Sequence, residues 1–319
     1  GRMEFSMLSM IIATFVLGTV VIIVMGFLQK GGKKSRKGSG EAEATSTTTY
    51  FDSSSFERNR FLFIPDQYSG FEELQDALRQ AGLESSNLIV GIDYTKSNDY
   101  NGETTFFGRS LHGMDVKDPY TGNHISNPYQ QVISTIARTL EGFDDDHLIP
   151  AFGFGDDRTK DHSVFPLFSE RKHLSANGVD EVLCRYNEIT PELIFSGPTN
   201  FAPLIDKAVE IVKQKNQYHI LLIIADGEVV KEEETRAAIV AAANYPLSIV
   251  TIGVGDGPFE AMHRFDDALA ERRFDNFQFV NYSEIMAGKF KNVQVEFARQ
   301  ALQEVPDQYR AIKHLGLLK

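Results

Sequence analysis

Leu88-Ile89-Val90-Gly91-Ile92-Asp93-Tyr94-Thr95-Lys96-Ser97-Asn98 joins an unbroken apolar run to a loop of carboxylate and hydroxyl side chains. The run over 88–92 lacks polar alternation, so it predicts a strand buried on both faces, as in a parallel sheet. A second such run, Ile220-Leu221-Leu222-Ile223-Ile224, leads into Ala225-Asp226-Gly227-Glu228. In an open α/β sheet, loops leaving the carboxyl ends of strands line the ligand crevice. Asp93, Thr95, Ser97 and Asp226, together with Thr199 of Pro198-Thr199-Asn200, then form a scattered site built only from oxygen. Two carboxylates and three hydroxyls suit a hard divalent cation such as Mg²⁺, which takes oxygen ligands and keeps positions for waters or a partner's oxygen.

Outward from these runs, strands alternate with helical periods. Apolar residues at 71, 74, 77, 78 and 81, followed by Gly82, predict a helix over 71–82. Asn127-Pro128 pairs an N-cap with a first-turn proline and opens a helix to about 140. Strands are predicted over 88–93, 148–154, 219–225, 247–254 and 277–281, with a short edge strand over 164–168. Helices are predicted over 179–186, 201–213, 232–243, 258–270, 283–304 and 307–314. That alternation predicts an α/β fold: a doubly wound, mostly parallel, six-stranded sheet flanked by helices. Residues 61–65, Phe-Leu-Phe-Ile-Pro, are expected to pack on this domain, which is taken to run over 60–319.

The residues of the oxygen site also carry a resemblance. Asp-x-Thr-x-Ser-Asn at 93–98, the separate Thr199, and Asp226-Gly227-Glu228 after a strand resemble the metal-ion-dependent adhesion site of a von Willebrand factor A domain. The residues over 82–93, Asn127-Pro128-Tyr129, Gly153-Phe154-Gly155-Asp156, the residues over 197–203 and those over 274–281 are similar to the copine-type version. That version occurs in copines and in plant RING-type ubiquitin ligases, and the likeness covers roughly 70–312. The resemblance implies that Asp93, Thr95 and Ser97 hold the ion, with Thr199 and Asp226 acting directly or through water. Mg²⁺ or Mn²⁺ is expected, Ca²⁺ being a third option. An Asp or Glu of a partner protein would complete the shell, so the site looks built for binding. Asp156 is a candidate to accept from a water on the ion.

Charge is unevenly spread along the 319 residues, whose net charge is −12. Residues 1–40 carry +5 and the remainder −17. A part this acidic argues against nucleic-acid binding by phosphate neutralisation. Residues 5–28 hold no charge, and 24 residues rise about 36 Å as a helix, enough to cross a bilayer core. The other reading is a cleaved signal peptide, whose apolar region is shorter and is followed by small residues. Here Lys30, Lys33, Lys34, Arg36 and Lys37 follow instead. The positive-inside rule then puts the C-terminal side in the cytosol, and the basic run 30–37 meets anionic headgroups. The expected organisation is a short segment 1–4, a single-pass transmembrane helix 5–28 and a flexible linker 29–59, ahead of the domain at 60–319.

No catalytic constellation emerges elsewhere. Cys184 is the one cysteine, so this stretch cannot supply the mostly cysteine ligands of a RING. Ubiquitin ligase activity would need a RING supplied elsewhere, with this domain selecting substrate. Gly253-Val254-Gly255-Asp256-Gly257-Pro258 lacks the spacing of a phosphate-binding loop and reads as a tight strand-to-helix turn. His112, His124, His147, His162 and His173 form no ligand pair, and surface or capping roles are their default. The polar segment 98–126, with exposed-looking Phe106, Phe107 and Tyr120, either frames the ligand face or is a variable surface loop.

Overall fold

The computed structural model describes residues 69–318, apart from 145, 172, 173, 228, 268 and 270. The anchor expected over 5–28, the linker over 29–59 and the segment 61–65 lie outside the described residues. Among the described residues, no helix is long and apolar enough to cross a membrane.

Strands β1 (Asn87–Asp93), β2 (Leu148–Phe154), β3 (Phe165–Pro166), β4 (Ser175–Asn177), β5 (His219–Ala225), β6 (Leu247–Gly253) and β7 (Phe277–Asn281) form one sheet. Its order is β3-β2-β1-β5-β6-β7, with β4 also paired to β2. The five long strands are parallel, and the short β3 and β4 run antiparallel to β2. The chain first builds outward from β1 to β2, then returns to the other side of β1 with β5. The order reverses there, which opens a crevice beyond the carboxyl ends of β1 and β5.

Both faces of the sheet are covered. On one side Leu88, Val90 and Ile92 of β1 pack with Leu74 and Leu78 of α1 (Phe71–Gln80), Val132 and Ile136 of α2 (Pro128–Leu140), and Val182 of α3 (Val179–Ile189). Helices α7 (Tyr282–Met286), α8 (Val293–Leu302) and α9 (Val305–His314) extend that layer. On the other side Ile89 meets α4 (Ala202–Lys215), α5 (Glu232–Ala242) and α6 (Glu260–Asp267). With both faces apolar, alternation alone cannot fix the register of β1, because a one-residue slip exchanges one apolar face for the other. Gly91 supplies the missing constraint. A Cβ there would lie 2.2 Å from Leu204 Cδ2, so α4 can approach β1 only where glycine stands.

The predicted strands are all present, and the differences have local causes. A seventh strand, β4, has three residues and no apolar pattern; its pairing with β2 makes it a strand. The helix expected over 283–304 is two helices. Its first turns end before Gly288, and Asn292 restarts the chain as N-cap of α8, accepting from Val295 N at 3.3 Å. The expected N-terminus of α2 holds in detail. Asn127 Oδ1 accepts from Gln130 N at 2.9 Å while Gln130 Oε1 accepts from Asn127 N at 2.8 Å, a reciprocal capping box.

Candidate metal centre

Asp93 is the last residue of β1 and Asp226 the first after β5, so both stand at the reversal point of the sheet. Both are buried, at 0% and 1% exposure. The loop after β1 turns at once into a short 3-10 helix, Lys96–Asp99, which folds Thr95 and Ser97 back toward the strand end. Asp93 Oδ1 accepts from Thr95 N at 2.8 Å, and Thr95 Oγ1 lies 3.1 Å from Ser97 Oγ. Ser97 Oγ donates to Asp226 Oδ1 at 2.9 Å. Four of the five sequence-predicted ligands are thus joined by direct contacts.

Thr199 arrives on a third loop. Lys96 N donates to Ser196 O at 2.7 Å and Ser196 N to Tyr94 O at 3.3 Å, which ties the 93–97 loop to the segment before Thr199. Gly197 lies against Thr95, a Cβ there falling 3.8 Å from Thr95 Cγ2. The Thr199 carbonyl accepts from Val230 N at 3.1 Å, so the same segment is pinned to the loop after β5. Thr199 itself is buried. Asp156 is also buried, but its Oδ1 is engaged locally, accepting from both the backbone N–H and the hydroxyl of Thr159. It stands next to the centre through Gly155. That residue has φ +84°, and a Cβ on it would lie 2.5 Å from Thr95 Cγ2 and 3.3 Å from Asp93 Oδ1.

Two buried carboxylates without a neighbouring cation are electrostatically costly. Burial, then the charge of Asp226, pushes the Asp93 carboxyl well above the ordinary range, against the hydrogen bonds from Thr95. Burial likewise pushes Asp226 up to about 6, against hydrogen bonds from Ser97 and Asn101. Asp93 Oδ2 has no hydrogen-bond partner although it is buried. An orphaned carboxylate oxygen among hydroxyls fits a hard cation, which would supply both the missing partner and the missing charge. Among the described residues, no three His, Cys, Asp or Glu side chains cluster as a metal site, so the fit depends on the hydroxyls as much as the carboxylates.

Several residues beneath and beside the loop had no role assigned from sequence. Asn101 Nδ2 donates to Asp226 Oδ2 at 2.9 Å and to its carbonyl at 3.2 Å. Asn98 Nδ2 donates to Thr95 O at 3.1 Å, and Tyr129 OH donates to Asn98 Oδ1 at 2.7 Å. His112 departs most from expectation. It is not at the surface but buried at 3% exposure, with Nε2 2.8 Å from Asp93 O and Nδ1 2.8 Å from Tyr186 OH. Burial pushes its pKa down to about 3, so the ring is neutral. Its distance in sequence from the loop hid the contact. His124, His147 and His162 are exposed as expected, and His173 lies outside the described residues. Phe106 also differs from its exposed reading, being buried, whereas Phe107 and Tyr120 are exposed.

The copine family model matches residues 110–319, most of the chain. The chain belongs to the copine family. It is 52% identical over 260 residues to Copine family protein 2 of Caenorhabditis elegans, an alignment covering 80% of this chain and 3% of that protein. It is 49% identical over 274 residues to the E3 ubiquitin-protein ligase RGLG2 of Arabidopsis thaliana, covering 81% of this chain and 56% of that one. The chain therefore spans only part of the length of these copine-type relatives. Among solved structures, manganese-loaded Plasmodium vivax TRAP protein aligns with a TM-score of 0.40 at 12% identity, over 64% of this chain and 71% of that one. Thr199 and Asp226 fall inside the copine match, and the 93–97 loop precedes it.

Proposed function

We propose that this copine-family domain captures partner proteins through a divalent cation held by Asp93, Thr95, Ser97, Thr199 and Asp226. The observation that carries the reading is the buried, unpartnered Oδ2 of Asp93 at the sheet's reversal point, with Asp226 one strand away. Mg²⁺ is the favoured ion, with Mn²⁺ or Ca²⁺ as substitutes, because every donor is a hard oxygen. When bound, the ion supplies positive charge and an open position for an Asp or Glu of the partner. The chain's own residues do the rest. Ser97 and Asn101 orient Asp226, the Thr95 amide orients Asp93, and the 3-10 turn keeps both hydroxyls on the crevice side.

The domain works at a membrane in this reading, tethered by residues 5–28 with the basic run 30–37 against anionic headgroups and the domain in the cytosol. Resistance of the full chain to alkaline carbonate extraction tests the anchor; release into the soluble fraction would remove it.

A second reading has an observation of its own. Relatives 46–49% identical to this chain carry the name E3 ubiquitin-protein ligase, and this chain spans 56% of RGLG2. In that reading the same cation site selects a substrate for a ligase module. The metal step is common to both and comes first in the test. Calorimetric titration of the full chain with Mg²⁺ should give saturable binding that Asp93→Ala abolishes. Binding of an acidic peptide should then require the metal and vanish in chelator. Peptide binding that is indifferent to chelator would overturn the carboxylate bridge.

A further inference from the structure

We infer that His112 is a positioning residue for this centre: from beneath the loop it fixes the Asp93 carbonyl, and through it the direction of the carboxylate offered to the ion. The inference rests on the metal reading above and deepens it.

The arrangement leaves the ring little choice. Asp93 O can only accept, so the hydrogen of the neutral imidazole sits on Nε2 and is donated to that carbonyl over 2.8 Å. Nδ1 must then accept, and it does so from Tyr186 OH at 2.8 Å. Tyr186 oxygen in turn accepts from Asn127 Nδ2 at 3.1 Å. Asn127 is the N-cap of α2 and Tyr186 belongs to α3, so the orientation of the ring is set by two helices at once.

Stacking fixes the remaining freedom. The imidazole lies between Tyr94, at 4.9 Å and 18°, and Tyr129, at 4.0 Å and 22°. Tyr94 directly follows Asp93, and Tyr129 reaches the same loop through Asn98. His112 therefore touches the loop by a hydrogen bond on its edge and by tyrosines on both faces. A peptide carbonyl that cannot rotate holds the Cα–Cβ direction of its residue. The consequence is visible in Asp93: Oδ1 is turned to Thr95 N while Oδ2 is left free in the crevice. Groups that orient a metal ligand from behind typically change affinity about 10–100-fold when lost.

A histidine that merely fills the core and one that positions a ligand respond differently to two substitutions. His112→Phe keeps the stacked ring and removes the donor. His112→Gln restores an N–H at the reach of Nε2 and gives up the stacks. Mn²⁺ uptake by the full chain is read from loss of the free-ion EPR signal, with the urea midpoint of the metal-free protein read alongside. The expected result is a tenfold or greater loss of Mn²⁺ affinity in His112→Phe, with His112→Gln within about threefold of wild type. The urea midpoints should rank the other way, since the phenyl ring retains packing. His112→Phe binding within about threefold of wild type, or His112→Gln as weak as His112→Phe, would overturn the inference while leaving the metal reading standing. A wild-type chain that takes up no Mn²⁺, or an Asp93→Ala chain that still does, overturns the metal reading and this inference with it.

Discussion

Ser97 Oγ donates to Asp226 Oδ1 across 2.9 Å, a contact between residues 129 positions apart that closes the crevice between β1 and β5. It consumes one oxygen of Asp226, and Asn101 consumes the other at 2.9 Å. Asp93 has no such relief for Oδ2. The two acids are therefore unequal, and Asp93 is the one a cation helps most. Asp93→Asn removes the repulsion between them while keeping the volume. The metal-free variant should be at least as stable as wild type and should gain nothing from Mg²⁺. Wild type at about 100 times the dissociation constant should gain about 2.7 kcal/mol. Thermal melts in Mg²⁺ and in chelator test both halves, and equal Mg²⁺ stabilisation of the two proteins would count against the assignment.

Proton linkage at the same pair has a definite sign. Asp226 is pushed up to about 6 from 3.8. A carboxyl raised by folding stabilises the protein fully below its unfolded value, and that contribution is lost as pH climbs through the folded one. Metal-free protein should thus lose stability between about pH 4 and 6 on account of Asp226, with Asp93 extending the loss upward. Asp226→Asn should therefore raise the urea midpoint more at pH 7.5 than at pH 4.5. Cation affinity should run the opposite way across the window, rising with pH because the ligands must deprotonate. Calorimetry at three pH values decides it; an affinity flat from about pH 5 to 7.5 would remove the pair from the site.

How much of this was readable in advance depends on what kind of force fixes each element. Strands β2, β5 and β7 fall where their apolar runs place them, because a segment buried on both faces carries its own signal. Asp93, Thr95, Ser97 and Asp226 were legible because strand ends at a reversal point converge by topology alone. β4 was not, since Ser175-Ala176-Asn177 is a strand only by virtue of β2 beside it. His112 and Asn101 were invisible for a related reason. Each acts on a residue far along the chain, and a lone polar side chain has no periodicity from which its partner can be read.

Remote from the crevice, Asp266 on α6 offers an independent titration. Burial, then the charge of Asp275, pushes it up to about 7 from 3.8, while the Phe279 amide and Arg272 act against that shift. Its stabilising protonation is complete below about pH 4 and is lost as pH rises through 7. Asp266→Asn keeps an acceptor for the Phe279 amide and carries no charge. It should leave the urea midpoint unchanged near pH 4 and raise it at pH 8.5. A variant less stable than wild type at both values would mean that the carboxylate is favourably ionised. Cation binding should be unaffected, since among the described residues the groups that act on this acid are Asp275, Phe279, Asp267 and Arg272, none of them in the 93–97 loop.

Two glycines separate damage to the sheet from damage to the site. At Gly91 an added Cβ meets Leu204 Cδ2 at 2.2 Å, the far end of a side chain on α4. Gly91→Ala should cost about 1–3 kcal/mol by overpacking, because Leu204 must change rotamer or α4 must shift. The crevice lies at the end of the strand, so cation affinity should hold. At Gly155 the obstruction is Thr95 Cγ2 at 2.5 Å and the Thr95 backbone N at 3.1 Å, on a residue whose φ of +84° already disfavours alanine. Gly155→Ala should cost a similar amount in stability, of order 1–3 kcal/mol. It must also displace Thr95, whose hydroxyl lies 3.1 Å from Ser97 Oγ and whose methyl group faces Gly197. Its cation affinity should fall at least tenfold where that of Gly91→Ala does not. If both variants bind the ion equally well, Thr95 is not one of its ligands.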